Sequence, residues 1–219
     1  MTTTRPAGSL RAVAGIRILT ALAMLASIVW QVTDRLINNV FRPEEYFSFF
    51  TIQTSLIAVV VLTVGAQFAW TGRHETRVLN IVRLSSVTFT VVVTLVYNLL
   101  LRGLPADAAD AGYVWPVLPN EILHVWAPIL ILIDWALSKD GVKIATKKVW
   151  WVVAYPLTWL AVSILRGAFA PDHWWAYWFL DPAEGVEQML TYIFGISAFM
   201  IVAGFGFNAL RNLVAKVQR

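Results

Sequence analysis

The run from Gln188 to Leu210 reads QMLTYIFGISAFMIVAGFGFNAL and contains no charged residue. A helix needs about 20 mainly apolar residues to cross the hydrocarbon core of a bilayer, because each residue adds only about 1.5 Å along the helix axis. A second run, VTFTVVVTLVYNLLL from Val87 to Leu101, is also free of charge. These two stretches predict membrane-spanning helices and decide the fold class.

The rest of the chain continues this pattern. Hydrophobic residues make up 58% of the 219 positions and charged residues 14%, which is too little polar surface for a soluble domain of this length. We predict an all-α integral membrane bundle with spans at residues 11–32, 48–70, 80–101, 119–137, 149–169 and 188–209. The transmembrane domain then covers residues 11–210, between a mobile N-terminal tail (1–10) and a short basic C-terminal tail (211–219).

The basic residues lie mainly at one end of the predicted spans. That side carries Arg5, Arg11, Arg73, Arg77, Lys139, Lys143, Lys147, Lys148, Arg211, Lys216 and Arg219. The other side carries fewer basic residues and most of the acidic ones, including Arg35, Arg42, Arg102, Arg166, Asp34, Glu44, Glu45, Asp107, Asp110, Asp172, Asp181, Glu184 and Glu187. Basic loops stay in the cytoplasm, so we predict that both termini are cytoplasmic. The net charge of +4 is then a topology signal that implies no nucleic-acid partner, and the membrane would be the plasma membrane in a bacterium.

Two polar residues lie at similar depths near the predicted outer ends of two spans. Thr51 lies near the start of the second span, and His124 lies a little more than one turn inside the fourth. A threonine in a membrane helix usually bonds to its own backbone, and a lone buried histidine is often structural. A hydroxyl and an imidazole are also the minimum pair for nucleophilic acyl transfer, because the histidine can remove the hydroxyl proton and return it to the leaving group.

Several further polar residues are candidates for the lining of the same pocket. Asn120 and Glu121 could orient the imidazole, although Asn120 could instead cap its helix. A developing oxyanion needs a hydrogen-bond donor, and an arginine could attract a substrate carboxylate or extend to the headgroups. The candidates for substrate or oxyanion contacts are Gln53, Asn98, Asn120, Glu121 and Arg166, with Tyr97 as a further lining residue.

Other features have mainly structural interpretations. Arg83 and Asp134 fall at comparable depths, which predicts a structural ion pair, with Arg17 as an alternative partner of Asp134. Prolines 128 and 156 predict helix kinks of the kind that often flank cavities. An aromatic group in the last outer loop is typical of an interfacial belt and contains Trp174, Trp175, Tyr177 and Trp178. The chain has no cysteine, and no metal or organic cofactor is implied.

Three segments resemble a known family. They are YFSFFTIQT from Tyr46 to Thr54, NEILHVWAPILILIDW from Asn120 to Trp135, and YPLTWL followed by RG and WFLDP between Tyr155 and Pro182. With the six spans, these segments resemble the androgen-induced and androgen-dependent TFPI-regulating membrane proteins of animals and their bacterial "Pr-six-Pr" relatives. Animal members are threonine hydrolases that cleave fatty acid esters of hydroxy fatty acids.

The resemblance implies that Thr51 matches the nucleophile of the family and that His124 matches its catalytic histidine. Two departures affect the pocket. The chain reads WAYWFLD where bacterial members read YPYPFLD, and Thr54 stands where animal members tend to have asparagine. The leading hypothesis is therefore a membrane hydrolase of lipid esters acting in the outer leaflet, with membrane lipids as its surroundings and its substrates. The alternative is a non-catalytic transporter or lipid-binding scaffold.

Overall fold

The computed structural model describes residues 7–104, 112–137 and 143–217, and all regular secondary structure within these ranges is helical. Six helices are long and apolar enough to cross a membrane, which confirms the predicted number of spans. They are span 1 (Gly8–Ile37), span 2 (Phe50–Trp70), span 3 (Arg77–Leu101), span 4 (Val117–Leu137), span 5 (Thr146–Phe169) and span 6 (Val186–Leu213). Helices satisfy their own backbone hydrogen bonds, as the water-free interior of a bilayer requires. The chain is a multi-pass, all-α membrane bundle.

Every span except span 2 extends beyond its predicted limits, whereas span 2 begins at Phe50, two residues after its predicted start. The first helix begins at Ala7 and the last continues to Val217, so parts of both predicted tails are helical. Residues 1–6 and 218–219 of these tails lie outside the described residues. The same holds for five charges used to orient the bundle, namely Arg5, Asp107, Asp110, Lys139 and Arg219. The cytoplasmic location of the termini stays a prediction.

Two prolines coincide with changes of helix type. Pro128 in span 4 follows a π-helical segment, Ile122–Trp126, and Pro156 in span 5 follows a 3-10 segment, Trp150–Val153. Proline lacks an N–H group, and its ring crowds the carbonyl four residues earlier, which in span 4 belongs to His124. A local change of helix type relieves this conflict while the helix continues. The irregular segment of span 4 therefore includes the candidate catalytic histidine.

Span 3 is central and packs against spans 2, 4 and 6. Half of the residues in the most apolar 18-residue stretch of spans 2 and 3 are buried, compared with 17% in span 5 and 22% in span 6. Spans 5 and 6 therefore leave most of their residues unburied. The main core lies mostly among spans 1 to 4 and includes the fully buried side chains of Met24, Leu84, Leu123 and Trp135. The bundle has a tightly packed half and a more open half.

A buried ion cluster joins spans 1, 3 and 4 near the end predicted to face the cytoplasm. Arg83 lies 2.6 Å from Asp134, and Arg17 lies 2.9 Å from the same carboxylate. Asp134 thus contacts both arginines that were considered as its partners. The arginines also contact Glu75, at 2.6 Å from Arg83 and 3.1 Å from Arg17. Glu75 lies between spans 2 and 3 and was not predicted to take part.

An aromatic cluster closes the opposite end of spans 1 and 2, which is predicted to face outward and is called the outer end below. Tyr46, in a short helix before span 2, is buried and donates a hydrogen bond of 2.9 Å to Gln31 Oε1 in span 1. Its ring stacks on Trp115 with the centroids 6.1 Å apart. The guanidinium of Arg35 lies 3.7 Å from the centroid of the same Trp115 ring. This cluster fixes the chain that leads into span 2.

Candidate functional site

Thr51 lies in the first turn of span 2, whose helix begins at Phe50. The residue is buried, and Thr54 and Ser55 are buried one turn later on the same face. Phe49 precedes the helix with an extended backbone and gives no side-chain hydrogen bond to the free N–H groups of the first turn. The Thr51 hydroxyl is therefore placed at an uncapped helix N-terminus.

The Thr51 hydroxyl differs from most threonine hydroxyls in the spans. A bond from the hydroxyl to the carbonyl four residues earlier is present at Thr20, Thr54, Thr63, Thr88, Thr90, Thr94, Thr158 and Thr191. Within the described ranges, Thr51 makes no such bond. The corresponding carbonyl, that of Phe47, lies before the helix and accepts from Gln53 Nε2 at 2.7 Å. The position of Thr51 thus keeps its hydroxyl from being used by its own helix.

A cavity of about 300 Å³ adjoins Thr51. Its walls come from the first turn of span 2, the outer half of span 3, spans 5 and 6, and the loop between them. Most of the lining is aliphatic or aromatic, and its hydroxyl groups belong to Thr51, Tyr177 and Ser197. The cavity lies in the less tightly packed half of the bundle, and its wall is mainly apolar.

His124 lies in the π-helical segment of span 4 and is buried. Its Nδ1 is 2.8 Å from the backbone carbonyl of Asn120. A carbonyl can only accept, so Nδ1 carries the proton and the lone pair of the neutral ring is on Nε2. The imidazole also stacks on Tyr97 at a centroid distance of 4.1 Å. His124 is thus held in the tautomer that a general base requires.

The predicted orienting residues are arranged differently from expectation. Asn120 orients His124 through its backbone carbonyl and not through its side chain. The carboxylate of Glu121 lies 2.8 Å from Arg102 at the outer end of span 3. The Tyr97 hydroxyl accepts from Asn120 Nδ2 at 2.8 Å and donates to Glu121 at 3.4 Å. These residues form a polar network around one edge of the imidazole.

The predicted substrate and oxyanion contacts are already bonded within the protein. Asn98 is exposed and donates to Thr94 O at 2.8 Å, while Gln53 Nε2 donates to Phe47 O. Arg166 donates to the Trp174 carbonyl at 3.1 Å and to Asp172 at 2.9 Å. Neither Asn98, Gln53 nor Arg166 lines the cavity beside Thr51.

Tyr177 was not predicted to belong to the site. The loop that carries it was interpreted as an interfacial belt, but Ala176, Phe179 and Leu180 are buried and the loop packs into the bundle. The Tyr177 hydroxyl lies near the side chain of Thr51 and near the backbone of Phe50 and Thr51. Burial raises the pKa of this phenol above its ordinary value. An inward-facing tyrosine and the candidate nucleophile therefore share one wall of the cavity.

Thr51 and His124 lie on spans that contact each other, and the contact is made at the π-helical segment. No hydrogen bond joins the two side chains in the parts of the chain that the structure describes. The hydroxyl interacts with Tyr177, and the imidazole interacts with Asn120 and Tyr97. His124 does not line the cavity. The predicted pair is placed on adjacent helices without a direct bond.

The family resemblance rests on the three sequence segments together with the six spans. Among the described residues, no group of three His, Asp or Glu side chains is placed to hold a metal ion. No protein-family model, curated protein or solved structure matches this chain.

Proposed function

We propose that this membrane protein hydrolyses lipid esters, with Thr51 as the nucleophile and His124 as the general base. The observation that carries the proposal is the Thr51 hydroxyl, which is not bonded to its own helix and lies on an apolar cavity of about 300 Å³. A second observation supports it, since the bond from His124 Nδ1 to Asn120 leaves Nε2 as the basic nitrogen. The three segments that resemble the threonine hydrolase family imply that Thr51 and His124 match its nucleophile and its catalytic histidine.

The reaction proceeds in two halves. Thr51 Oγ attacks the ester carbonyl carbon, His124 Nε2 takes the hydroxyl proton, and the carbonyl electron pair moves onto oxygen. When the tetrahedral intermediate collapses, the bond to the alcohol oxygen breaks and His124 gives the proton to that oxygen. A water molecule then attacks the acyl-threonine in the same way, which releases the fatty acid and restores the Thr51 hydroxyl.

The two reacting groups must approach each other when a substrate binds. Catalytic hydrogen bonds are often long in free enzymes and tighten in the substrate complex. Span 4 has a π-helical segment at His124, and such segments are common at functional sites. The methyl group of threonine hinders attack, so the rate depends on positioning of the hydroxyl by span 2. An acyl chain in the cavity would place the ester beside Thr51 and within the outer leaflet; in a bacterium this would be the plasma membrane.

The absence of a hydrogen bond between the side chains of Thr51 and His124, among the described residues, favours one alternative. This alternative is a scaffold that binds lipid in the same cavity and catalyses no reaction. Transport of a polar solute has less support along span 4. Ala127 and Ile131 are buried and apolar, and they separate His124 from the ion cluster at Asp134 on the same helix face. The alternative to be tested is therefore lipid binding.

The test is labelling with a lipophilic fluorophosphonate and hydrolysis of p-nitrophenyl esters by the detergent-purified protein. The variants are Thr51→Ala, Thr51→Ser and His124→Ala. Thr54→Ala is the matched control, because the Thr54 hydroxyl is bonded to Phe50 O at 2.8 Å one turn further along the same helix.

We expect wild type, Thr51→Ser and Thr54→Ala to be labelled and active. Thr51→Ala should lose labelling, and His124→Ala should lose at least about a hundredfold in rate, as expected for a general base. Labelling that survives Thr51→Ala would show that another residue is the nucleophile. A folded wild type that binds the lipid probe but neither reacts nor hydrolyses esters would favour the scaffold.

A further inference from the structure

The proposed reaction needs a hydrogen-bond donor for the carbonyl oxygen, and the three amides considered from the sequence are poorly placed to supply it. Gln53 and Asn98 donate to backbone carbonyls, and Asn120 donates to the Tyr97 hydroxyl at 2.8 Å. None of the three lines the cavity beside Thr51. The donor must come from another group on the cavity wall.

Tyr177 has the required position. Its hydroxyl contacts the Thr51 side chain, and both residues line the cavity. The ring is fixed on several sides by aromatic contacts: it stacks on Phe179 at 5.1 Å with an interplanar angle of 4°, and it lies 5.7 Å from Phe49 and 5.9 Å from Trp159. A ring held in this way positions its hydroxyl before substrate binds, which is the condition for a useful oxyanion donor.

The surroundings of the Tyr177 oxygen favour donation by its proton. The backbone N–H groups of Phe50 and Thr51, at the uncapped start of span 2, face this oxygen and can only donate to it. A phenol oxygen that accepts from backbone N–H groups keeps its own O–H for another acceptor. The raised pKa of Tyr177 means that the phenol retains its proton at neutral pH. The Tyr177 O–H is therefore available to an ester carbonyl that enters the cavity beside Thr51.

We propose that the Tyr177 hydroxyl donates a hydrogen bond to the ester carbonyl oxygen as that oxygen becomes negative during attack by Thr51. The positive end of the span 2 helix dipole, whose N–H groups face the phenol oxygen, strengthens the donor. This inference rests on the proposed ester hydrolysis and adds a catalytic residue to it.

The experiment compares Tyr177→Phe with wild type, using Tyr192→Phe as the matched control. Tyr192 belongs to the same aromatic group, with its ring 5.6 Å from that of Phe179, but it does not line the cavity. The measurements are kcat and KM for a p-nitrophenyl ester, and inhibition by two compounds with the same acyl chain. One is a trifluoromethyl ketone, which forms a tetrahedral oxyanion, and the other is the corresponding alcohol, which does not.

For Tyr177→Phe, we expect kcat to fall about 10²- to 10³-fold with KM nearly unchanged, as for removal of one oxyanion donor. Binding of the trifluoromethyl ketone should weaken by a similar factor, whereas binding of the alcohol should not change. Tyr192→Phe should behave as wild type. A merely structural role of Tyr177 would weaken both inhibitors alike.

The two proposals fail in different ways. If wild type and Tyr177→Phe have the same kcat and the same ketone affinity while Thr51→Ala is inactive, the role of Tyr177 is wrong and the hydrolase stands. If Thr51→Ala remains active, or wild type is inactive, the proposed function fails and the role of Tyr177 fails with it. Should Tyr177→Phe not fold, 3-fluorotyrosine at this position keeps the ring and makes the phenol more acidic. Its ketone affinity should then rise above that of wild type, and an unchanged affinity would contradict the proposal.

Discussion

Neutralising Asp134 should destabilise the protein strongly, because this carboxylate sits between two buried guanidinium groups. Asp134 accepts from Arg17 Nε at 2.9 and 3.1 Å and from Arg83 Nη2 at 2.6 Å. Arg17 and Arg83 are 1% and 5% exposed, so water cannot replace the lost partner. Asp134→Asn leaves both cations to share Glu75 and places an amide in the position of a carboxylate oxygen. Removal of one partner from a buried ion pair costs about 3–5 kcal/mol, which is the loss that we expect.

An exposed ion pair in the same chain provides the control. Asp172 lies 2.9 Å from Arg166, but its side chain is 46% exposed. Asp172→Asn should therefore cost at most about 1 kcal/mol, because water screens the pair and solvates the remaining charge. Both changes remove one negative charge and keep the side-chain shape, so burial is the main difference between them.

The measurement is the free energy of unfolding in mixed micelles, followed by tryptophan fluorescence and far-UV circular dichroism during titration with SDS. A double-mutant cycle with Arg83→Gln measures the coupling energy between Asp134 and Arg83. The loss of stability in the double variant should be smaller than the sum of the two single losses by about 0.5–3 kcal/mol. If Asp134→Asn costs no more than Asp172→Asn, or if the cycle shows no coupling, the cluster does not hold the three helices together.

Two further changes test the packing of the outer end. Gly167→Ala should cost about 1–3 kcal/mol of stability, because the added Cβ would lie 2.5 Å from the Trp175 ring. Gly195→Ala is the control and should cost nothing, because a Cβ there would have nothing within 4 Å. Equal losses for the two variants would contradict the close approach at Gly167. Tyr46→Phe should cost about 1–3 kcal/mol, because it leaves the buried Gln31 oxygen without its donor, and unfolding free energies measure this directly. Burial raises the pKa of Tyr46, so above about pH 10 the unfolded chain loses a proton that the native protein keeps. The free energy of unfolding of wild type should therefore fall as the pH rises, with a slope up to about 1.4 kcal/mol per pH unit steeper than that of Tyr46→Phe. Equal slopes for the two proteins would refute this account.

The six spans could be predicted because a run of about 20 apolar residues has one physical explanation that requires no knowledge of its neighbours. The pairing of Arg83 with Asp134, with Arg17 as an alternative partner, also follows from depth, since charges within a bilayer need partners. Glu75 could not be predicted in this way, because it lies in a connection between spans, where a carboxylate is ordinarily solvated. Its contact with Arg17 in span 1 depends on how the helices pack.

The candidate site shows the same limit. The local bond from Asn98 to Thr94 could be predicted, because the two residues are four apart on one helix and short polar side chains bond to nearby backbone. Tyr177 could not be found, because an aromatic residue in an outer loop is typical of the membrane interface. Its inward orientation depends on the burial of Phe179 and Leu180 in a loop without regular periodicity. Local bonds are predictable from sequence, whereas the residues that meet across the cavity are not.

The position of Thr51 in its helix has a chemical reason if this hydroxyl is the nucleophile. Within a membrane helix, the carbonyl four residues earlier is the nearest acceptor for a threonine proton, and a hydroxyl bonded to it is turned along the helix. In the first turn that carbonyl belongs to residues before the helix, so the hydroxyl is available to another partner. The same turn also has N–H groups without an acceptor in their own helix and the positive end of the helix dipole, which stabilise developing negative charge. Thr54, one turn further on, has a similar environment but donates to Phe50, so we expect a hydroxyl at position 54 to be unable to replace one at position 51.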